Sequence, residues 1–390
     1  MKVKSINIVG IGGIKDITID FDDHINFICG PNGIGKTTIL ECVAHSFSAH
    51  GSRILKRNVL SEAGSFDAFI EINGSNQRSN IIISDFDPTK ESSINGLHQH
   101  SKNLLSLKVT RTFQYQPLDA VGKDAVKESH HIFNEAKTGV DVSEVKNWFV
   151  NRYLYSAHND ALTDQQKHNL ELAKGCFSLL NPHFAFSKVL ASSNEIMVAT
   201  PSGEIYYEYL SSGFKSCLSI LFGIIKDIEF RFKDPGINAD DFDGVILIDE
   251  LELHLHPEWQ SKIAKILTKA FPKVQFITAT HSPHIIQAAN PKEIIALASE
   301  SGNVYRRDLN NGEFGFQGWT VEEVLTDVMG MADTRTETYN RAILKFEAAI
   351  DSSNFNAAAA VYEELNNLLH PDNHLRKLLR LELASIREAV

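Results

Sequence analysis

Nine consecutive residues, Gly30-Pro31-Asn32-Gly33-Ile34-Gly35-Lys36-Thr37-Thr38, constrain this chain more than any other stretch. They stand between residues 25–29, which have the β-branched and aromatic content of a short buried strand, and residues 37–47, whose apolar positions recur at helical spacing. A strand, a glycine-rich loop and a helix start in that order form a phosphate cradle. The glycines let successive backbone N–H groups converge on one anion, while the positive end of the helix and Lys36 supply the countercharge. Thr37 then offers its hydroxyl to the Mg²⁺ that accompanies a polyphosphate.

The stretches around this loop read as an α/β chain. Residues 2–29 predict three strands, at 3–9, 14–21 and 25–29, divided by glycine and Asp22-Asp23 turns. Residues 66–72 and 80–83 predict a further pair, 84–106 a polar loop, and 107–115 a strand. From 116 to 181 the pattern is helical, with Val142, Val145, Trp148, Phe149 and Tyr153 on one face, so a helical lobe is expected between two parts of the nucleotide domain. Strands return at 184–190, 196–200 and 205–209, and an apolar helix follows at 213–230. The aliphatic run 244–249 and the run 274–279 are of the kind buried on both faces of a parallel sheet, with an amphipathic helix at 260–270 between them. Two short strands, at 294–297 and 304–307, precede a helical tail. The expected division is therefore 1–115 and 182–318 for the two parts of the α/β domain, 116–181 for the inserted helical lobe and 319–390 for a helical C-terminal domain that binds a partner.

With 390 residues, 43% hydrophobic and 22% charged, the chain can bury a core of this size. Its formal net charge of −11 excludes a protein that coats nucleic acid non-specifically, which needs clustered Lys and Arg. No stretch approaches a membrane span and residues 1–10 lack a leader pattern, so a cytoplasmic chain with no membrane contact is expected. Cys29, Cys42, Cys176 and Cys217 are scattered in apolar surroundings and predict neither disulfides nor zinc.

Four later features can complete the site opened by the loop. Asp249-Glu250 ends the aliphatic run, placing two carboxylates at the carboxyl end of a central strand. In a phosphate-hydrolysing site, Asp249 holds the metal shell and Glu250 orients and deprotonates water. Leu210-Ser211-Ser212-Gly213-Phe214-Lys215 opens a helix and offers hydroxyls and backbone N–H groups, a second anion site. Leu251-Glu252-Leu253-His254-Leu255-His256-Pro257 follows the acidic pair, and Thr280-His281-Ser282-Pro283 follows the next strand, bringing an imidazole to the same sheet edge. Alone, the acidic pair reads equally well as an exposed strand end.

Together, in this order, these motifs resemble the ABC-type ATPase superfamily: Walker A loop, Leu-Ser-Ser-Gly signature, Asp-Glu strand end, Leu-His-Leu-His-Pro and a switch histidine. The resemblance covers residues 1 to about 300. It implies an ABC-type P-loop head, with a mixed or antiparallel β-subdomain beside a parallel-sheet core. It further implies that Asn32, Gly33, Gly35, Lys36, Thr37 and Thr38 bind ATP phosphates, that Thr37 and Asp249 hold Mg²⁺, that Glu250 is the general base and that His281 senses the γ-phosphate. Ser211, Ser212 and Gly213 would contact ATP held by a second subunit, so a homo-oligomer, at least a head-to-tail dimer, is implied. Two positions depart from the pattern. Phe214 stands where Gln or an acidic residue is usual, and no residue marks the Q-loop glutamine plainly, Gln114 and Gln116 being the candidates.

Within the superfamily the chain resembles the soluble branch that includes break-repair, overcoming-lysogenization-defect and antiphage-defence ATPases. No sustained heptads run through 116–181, which disfavours members with long coiled-coil arms. The pattern is most similar to the ATPase subunits of Septu-type or retron-associated antiphage systems, which in that family act with an HNH nuclease. What the resemblance implies is an ATP-hydrolysing switch controlling that partner, with nucleic acid met through the partner. A structural ATP-binding scaffold with negligible turnover and a repair-type ATPase that grips DNA itself are the alternatives.

Overall fold

The computed structural model describes residues 1–110, 117–309, 312 and 314–387. Strands β1 (Lys2–Ile11), β2 (Ile14–Asp20) and β3 (Ile25–Cys29) precede helix α1 (Lys36–His45). Then come β4 (Ala49–Ser52), β5 (Gly64–Ile72), β6 (Ser75–Ile83), β7 (Ser92–Asn95) and β8 (Leu104–Leu107). Helices α2 (Ser129–Thr138), α3 (Val145–Tyr155) and α4 (Asp164–Leu180) lead to β9 (Ala185–Val189), β10 (Ile196–Thr200) and β11 (Gly203–Tyr206). After α5 (Ser212–Arg231), strands and helices alternate as β12 (Val245–Ile248), α6 (Pro257–Ala270), β13 (Gln275–Ala279), α7 (Pro283–Ala288), β14 (Ile294–Glu300) and β15 (Asn303–Arg306). The chain continues through α8 (Val321–Glu323), α9 (Glu337–Asp351), α10 (Phe355–Leu368) and α11 (Leu375–Arg387).

The element that positions everything else is a six-stranded sheet of order β15-β14-β3-β13-β12-β8, parallel from β14 to β8 with β15 antiparallel at one edge. Its register sets Ala279 opposite Ile28, and Ile248 opposite both Thr278 and Leu107. The carboxyl ends of β3, β12 and β13 therefore lie along one edge, where an open parallel sheet binds ligands. Side chains alternate across the sheet, as the two-residue period requires. Phe27, Ile246, Ile248 and Phe276 enter an apolar core with α5, while Ile28, Val245, Leu247 and Ile277 enter a second core with α1 and the four-stranded antiparallel sheet β2-β1-β5-β6. Burial on both faces explains why 244–248 is an unbroken aliphatic run.

The inserted helices are not a free-standing body. Phe149 of α3 stacks on Phe222 of α5 at 5.2 Å, and Phe177 of α4 meets the same ring edge-on at 5.9 Å. Charges beneath them are paired. Arg152 and the Trp148 indole both bond Glu229 Oε1, at 2.6 and 3.1 Å, and burial raises that carboxyl's pKa while Arg152 opposes the rise. Buried charges persist only when matched in this way.

Several expectations shift. The segment 84–106 is more ordered than a polar loop: β7 pairs with β4, a strand that periodicity did not reveal. The strand expected over 107–115 is preceded by one from Leu104 to Leu107, where Leu104, Leu105 and Leu107 are all buried against the sheet, and residues 111–115 of the expected strand lie outside the described residues. Strand β6 starts at Ser75, its polar residues completing a hairpin with β5. The boundary expected at 319 also moves. The chain divides into compact units at 1–330 and 331–390, since Val324, Val328 and Met329 are buried in the core of the first. The second unit is built from α9, α10 and α11 around Phe346, Ala358, Leu365 and Leu379. Among the described residues, no helix is long and apolar enough to cross a membrane. The architecture is a mixed α/β fold, a parallel-sheet core beside an antiparallel sheet, with helical additions.

Candidate functional site

The loop after β3 is shaped by backbone conformations that only glycine adopts readily. Gly30 has φ 143°, and a Cβ there would lie 2.6 Å from the Leu297 carbonyl oxygen on β14. Gly35 has φ 107° and packs against Ile14, turning the chain into α1. Lys36 folds back on the loop, its Nζ donating to the carbonyls of Gly30 and Pro31, both at 2.9 Å. Burial lowers its pKa, while the Cys29 thiol and the carboxylates of Glu252, Asp249 and Glu250 pull the other way. Among the described residues Lys36 makes no direct ion pair, so a polyphosphate would give it one. Asn32 and Gly33 are exposed and border a cavity of about 400 Å³ closed by Gly13, Tyr305, Arg307 and Gly330. Thr38 is half-buried next to the Gly12 turn.

Two motifs more than two hundred residues apart meet here. The Thr37 hydroxyl donates to Asp249, at 3.1 Å from Oδ2 and 3.3 Å from Oδ1. Asp249 is held by its own N–H, which donates to the Leu107 carbonyl at 3.0 Å, continuing the β12–β8 ladder past Ile248. A hydroxyl and a carboxylate form an all-oxygen donor set suited to a hard divalent cation. These residues thus fit Mg²⁺, and the glycine loop, Lys36 and the α1 N-terminus fit a nucleotide polyphosphate.

Glu250, the next residue, has φ 48°, unusual for a residue with a side chain. Leu251 N–H then donates to the Ala279 carbonyl at 3.1 Å, tying the turn after β12 to the end of β13. His281 follows that strand. Burial lowers its pKa and the nearby Lys36 cation lowers it further, against Glu252, Glu250 and Asp249, so the neutral ring is favoured.

The third expected group lies apart. Ser211 caps α5 by accepting from the Phe214 N–H at 3.3 Å, Ser212 is exposed in the first turn, and Gly213 is buried. Among the described residues, no hydrogen bond or ion pair of these three reaches the 30–38 loop. A Cβ on Gly213 would come within 2.8 Å of Trp259 Cδ1 on α6. Phe214 is buried between Trp259 and Phe184, at ring separations of 5.4 and 5.3 Å, so apolar packing claims the position where the family pattern has a polar residue. Gly213→Ala is accordingly expected to cost about 1–3 kcal/mol by overpacking against Trp259. Denaturant unfolding measures this, and wild-type stability would mean that the indole yields freely.

Two residues escaped the sequence reading. Glu252 accepts from Thr280 Oγ1 at 2.7 Å and from the His281 N–H at 2.5 Å. Its only sequence signal was a third acid within four positions. Lys108, just past β8, reaches Glu41 Oε1 of α1 at 2.6 Å, a pairing with no local signature. Gln114 and Gln116 lie outside the described residues.

Comparison with known proteins places the chain in a family. Residues 25–287 match the family described as "AAA domain, putative AbiEii toxin, Type IV TA system". A Septu protein PtuA from Bacillus thuringiensis is 42% identical over 100% of this chain and 99% of its own length. A second Septu protein PtuA, from Bacillus mycoides, is 25% identical over 85% of this chain and 45% of its own length. The Retron Ec83 probable ATPase of Escherichia coli is 26% identical over 52% of this chain and 36% of its own length. The SMC head domain from Thermotoga maritima superposes at a TM-score of 0.47 and 16% identity, covering 80% of this chain and 100% of that one. With the family matched over residues 25–287 and a relative aligned from end to end, the chain belongs to the AAA-domain family and, within it, to the family of Septu PtuA proteins.

Proposed function

We propose that this chain is an ATP-binding and hydrolysing switch that assembles with copies of itself and controls a partner nuclease in antiphage defence. The observation that carries the reading is the Thr37–Asp249 contact, which joins the phosphate loop to the acidic strand end in one donor set. Asn32, Gly33, Gly35, Lys36, Thr37 and Thr38 bind the phosphates of ATP, and Thr37 and Asp249 hold Mg²⁺. The metal, when bound, neutralises charge on the phosphate oxygens. Glu250 takes the proton of the attacking water, and the neutral His281 ring hydrogen-bonds the γ-phosphate.

Ser211, Ser212 and Gly213 serve a second copy. A helix of 20 residues that begins at the exposed Ser211 and Ser212 offers its first N–H groups and the Ser212 hydroxyl to an anion outside its own chain. A head-to-tail dimer closed on ATP is thus the hydrolysing unit, and opening after hydrolysis is the switch. Similarity to Septu and retron ATPases supports the defence setting, with the 331–390 unit as the docking site of an HNH-type nuclease that itself meets nucleic acid, in the cytoplasm.

Ser212→Arg tests the composite site, because an exposed position tolerates the larger side chain while the partner's phosphate cannot. ATP binding by the variant is expected to stay within about twofold of wild type while turnover falls at least about tenfold. Wild-type turnover in Ser212→Arg would contradict the shared site.

A further inference from the structure

The backbone that follows the acidic pair is unusual. Between Glu250 and Leu255 two residues with side chains, Glu250 at φ 48° and His254 at φ 65°, adopt left-handed conformations. Such conformations persist only where the surroundings over-determine them. Within this strap, local turns close from Leu253 N–H to the Glu250 carbonyl and from Leu255 N–H to the Glu252 carbonyl, at 2.9 and 2.8 Å. Leu251 and Leu255, both buried in the core, and the Leu251 N–H bond to the Ala279 carbonyl anchor the two ends of the strap, while local turns alone leave the residues between them free to swing.

What stops the swing is a set of ties to the turn after β13. Glu252 spans that turn with both carboxylate oxygens, one on the Thr280 hydroxyl and one on the His281 N–H. Gln260, at the start of α6, adds a weaker brace: its Oε1 accepts from Ser282 Oγ at 2.6 Å and its Nε2 donates to the Leu255 carbonyl at 2.8 Å. Thr280 in turn is buried, and its Oγ1 accepts from Ser282 N–H at 3.0 Å, so the turn that Glu252 grips is itself rigid. Charge-assisted bonds of this kind are the strong ones.

We propose that Glu252 is a positioning residue whose carboxylate clamps the 250–255 strap to the Thr280–His281 turn and so fixes Glu250 and His281 relative to each other at the phosphate edge. The clamp sits between the group assigned to water and the group assigned to the γ-phosphate, which lie on different strand ends with no covalent link shorter than 31 residues. Loss of the clamp lets the strap relax from its left-handed turns and carries Glu250 away from the attacking water. Small misplacements of that kind cost catalysis more than binding. The inference rests on the ATPase reading given above.

The test uses the full chain with Glu252→Ala and the isosteric Glu252→Gln. For Glu252→Ala, kcat is expected to fall at least about tenfold while KM stays within about threefold; Glu252→Gln keeps an acceptor for the His281 N–H and recovers a substantial part of kcat. Amide hydrogen exchange is read in parallel without nucleotide, and Glu252→Ala is expected to speed exchange in both 250–255 and 280–282. Wild-type kcat in Glu252→Ala, or no recovery in Glu252→Gln, overturns the positioning role. Unchanged exchange at both segments overturns the clamp itself. Should Glu252→Ala fold poorly, Thr280→Val removes one of the two bonds without removing the charge, and normal kcat there with normal exchange likewise defeats it. Failure of the ATPase reading looks different: wild-type protein would show no turnover for Glu250→Gln to abolish, while the exchange result still reports on the clamp.

Discussion

Glu250→Gln lowers steady-state ATP turnover by at least about a hundredfold and leaves ATP bound, because an amide of the same shape cannot accept the proton of the attacking water. The position of Glu250 makes this the largest catalytic effect expected of a single substitution. It follows Asp249 directly at the end of β12, and Asp249 is the residue that meets Thr37. The backbone turns left-handed at Glu250, immediately after Asp249 has continued the β12–β8 ladder. With hydrolysis blocked, the ATP-closed assembly accumulates. Size-exclusion chromatography with ATP and Mg²⁺ should therefore show Glu250→Gln as a stable oligomer under conditions where wild type returns to its starting state. Turnover within a few-fold of wild type would remove the general-base assignment.

Lys36→Ala abolishes nucleotide binding with little cost to the free protein. Without nucleotide, the Lys36 ammonium bonds two loop carbonyls among the described residues, and its burial disfavours the charge. Its removal therefore deletes a partly desolvated cation rather than a structural tie, and the free chain should melt close to wild type. Binding is another matter, since the polyphosphate loses the one full positive charge that the loop supplies. A ligand at a hundred times its Kd stabilises the native state by about 2.7 kcal/mol. Thermal denaturation with ATP and Mg²⁺ should show that gain in wild type and none in Lys36→Ala, and an equal upward shift in both would contradict the role given to Lys36.

The parts of the site that were legible in the sequence are those whose chemistry is local. The 30–38 loop carries its glycines, its lysine and its threonine within nine residues, and each is dictated by the backbone beside it, as Gly30 against Leu297 shows. The run 245–248 was legible as a central strand because it is apolar without alternation, which only burial on both faces explains. The Thr37–Asp249 contact followed from placing both strands in one parallel sheet, a topological step rather than a pattern. Glu252 was illegible for the opposite reason: its partners at 280 and 281 lie on another strand, and an acid among leucines and histidines looks like a solvated turn.

Where expectation and structure part, tertiary contacts outweigh local signal. Strand β4 holds a His and a Gly and has little β character, yet it pairs with β7 in register from Ala49 to Ser52. Residues 320–329 look like the start of the helical tail because Thr320 and Glu323 form a capping box. Val324 and Val328 nevertheless face the core of the preceding domain, and the next compact unit begins only at Met331. Phe214 departs from the family pattern because Trp259 and Phe184 close over it, something visible only once α5 and α6 are packed together.

The central claim is that the phosphate loop of one copy works with the α5 N-terminus of another, and mixing Lys36→Ala with Ser212→Arg measures it directly. Each variant alone lacks one half of every site, so neither should turn over ATP. In a mixed dimer one of the two sites pairs an intact loop from the Ser212→Arg copy with an intact Ser211-Ser212-Gly213 from the Lys36→Ala copy, so an equimolar mixture should recover up to about a quarter of wild-type turnover. A mixture that stays silent while native mass spectrometry shows mixed dimers, or a Ser212→Arg protein that hydrolyses ATP unaided, would contradict the composite site.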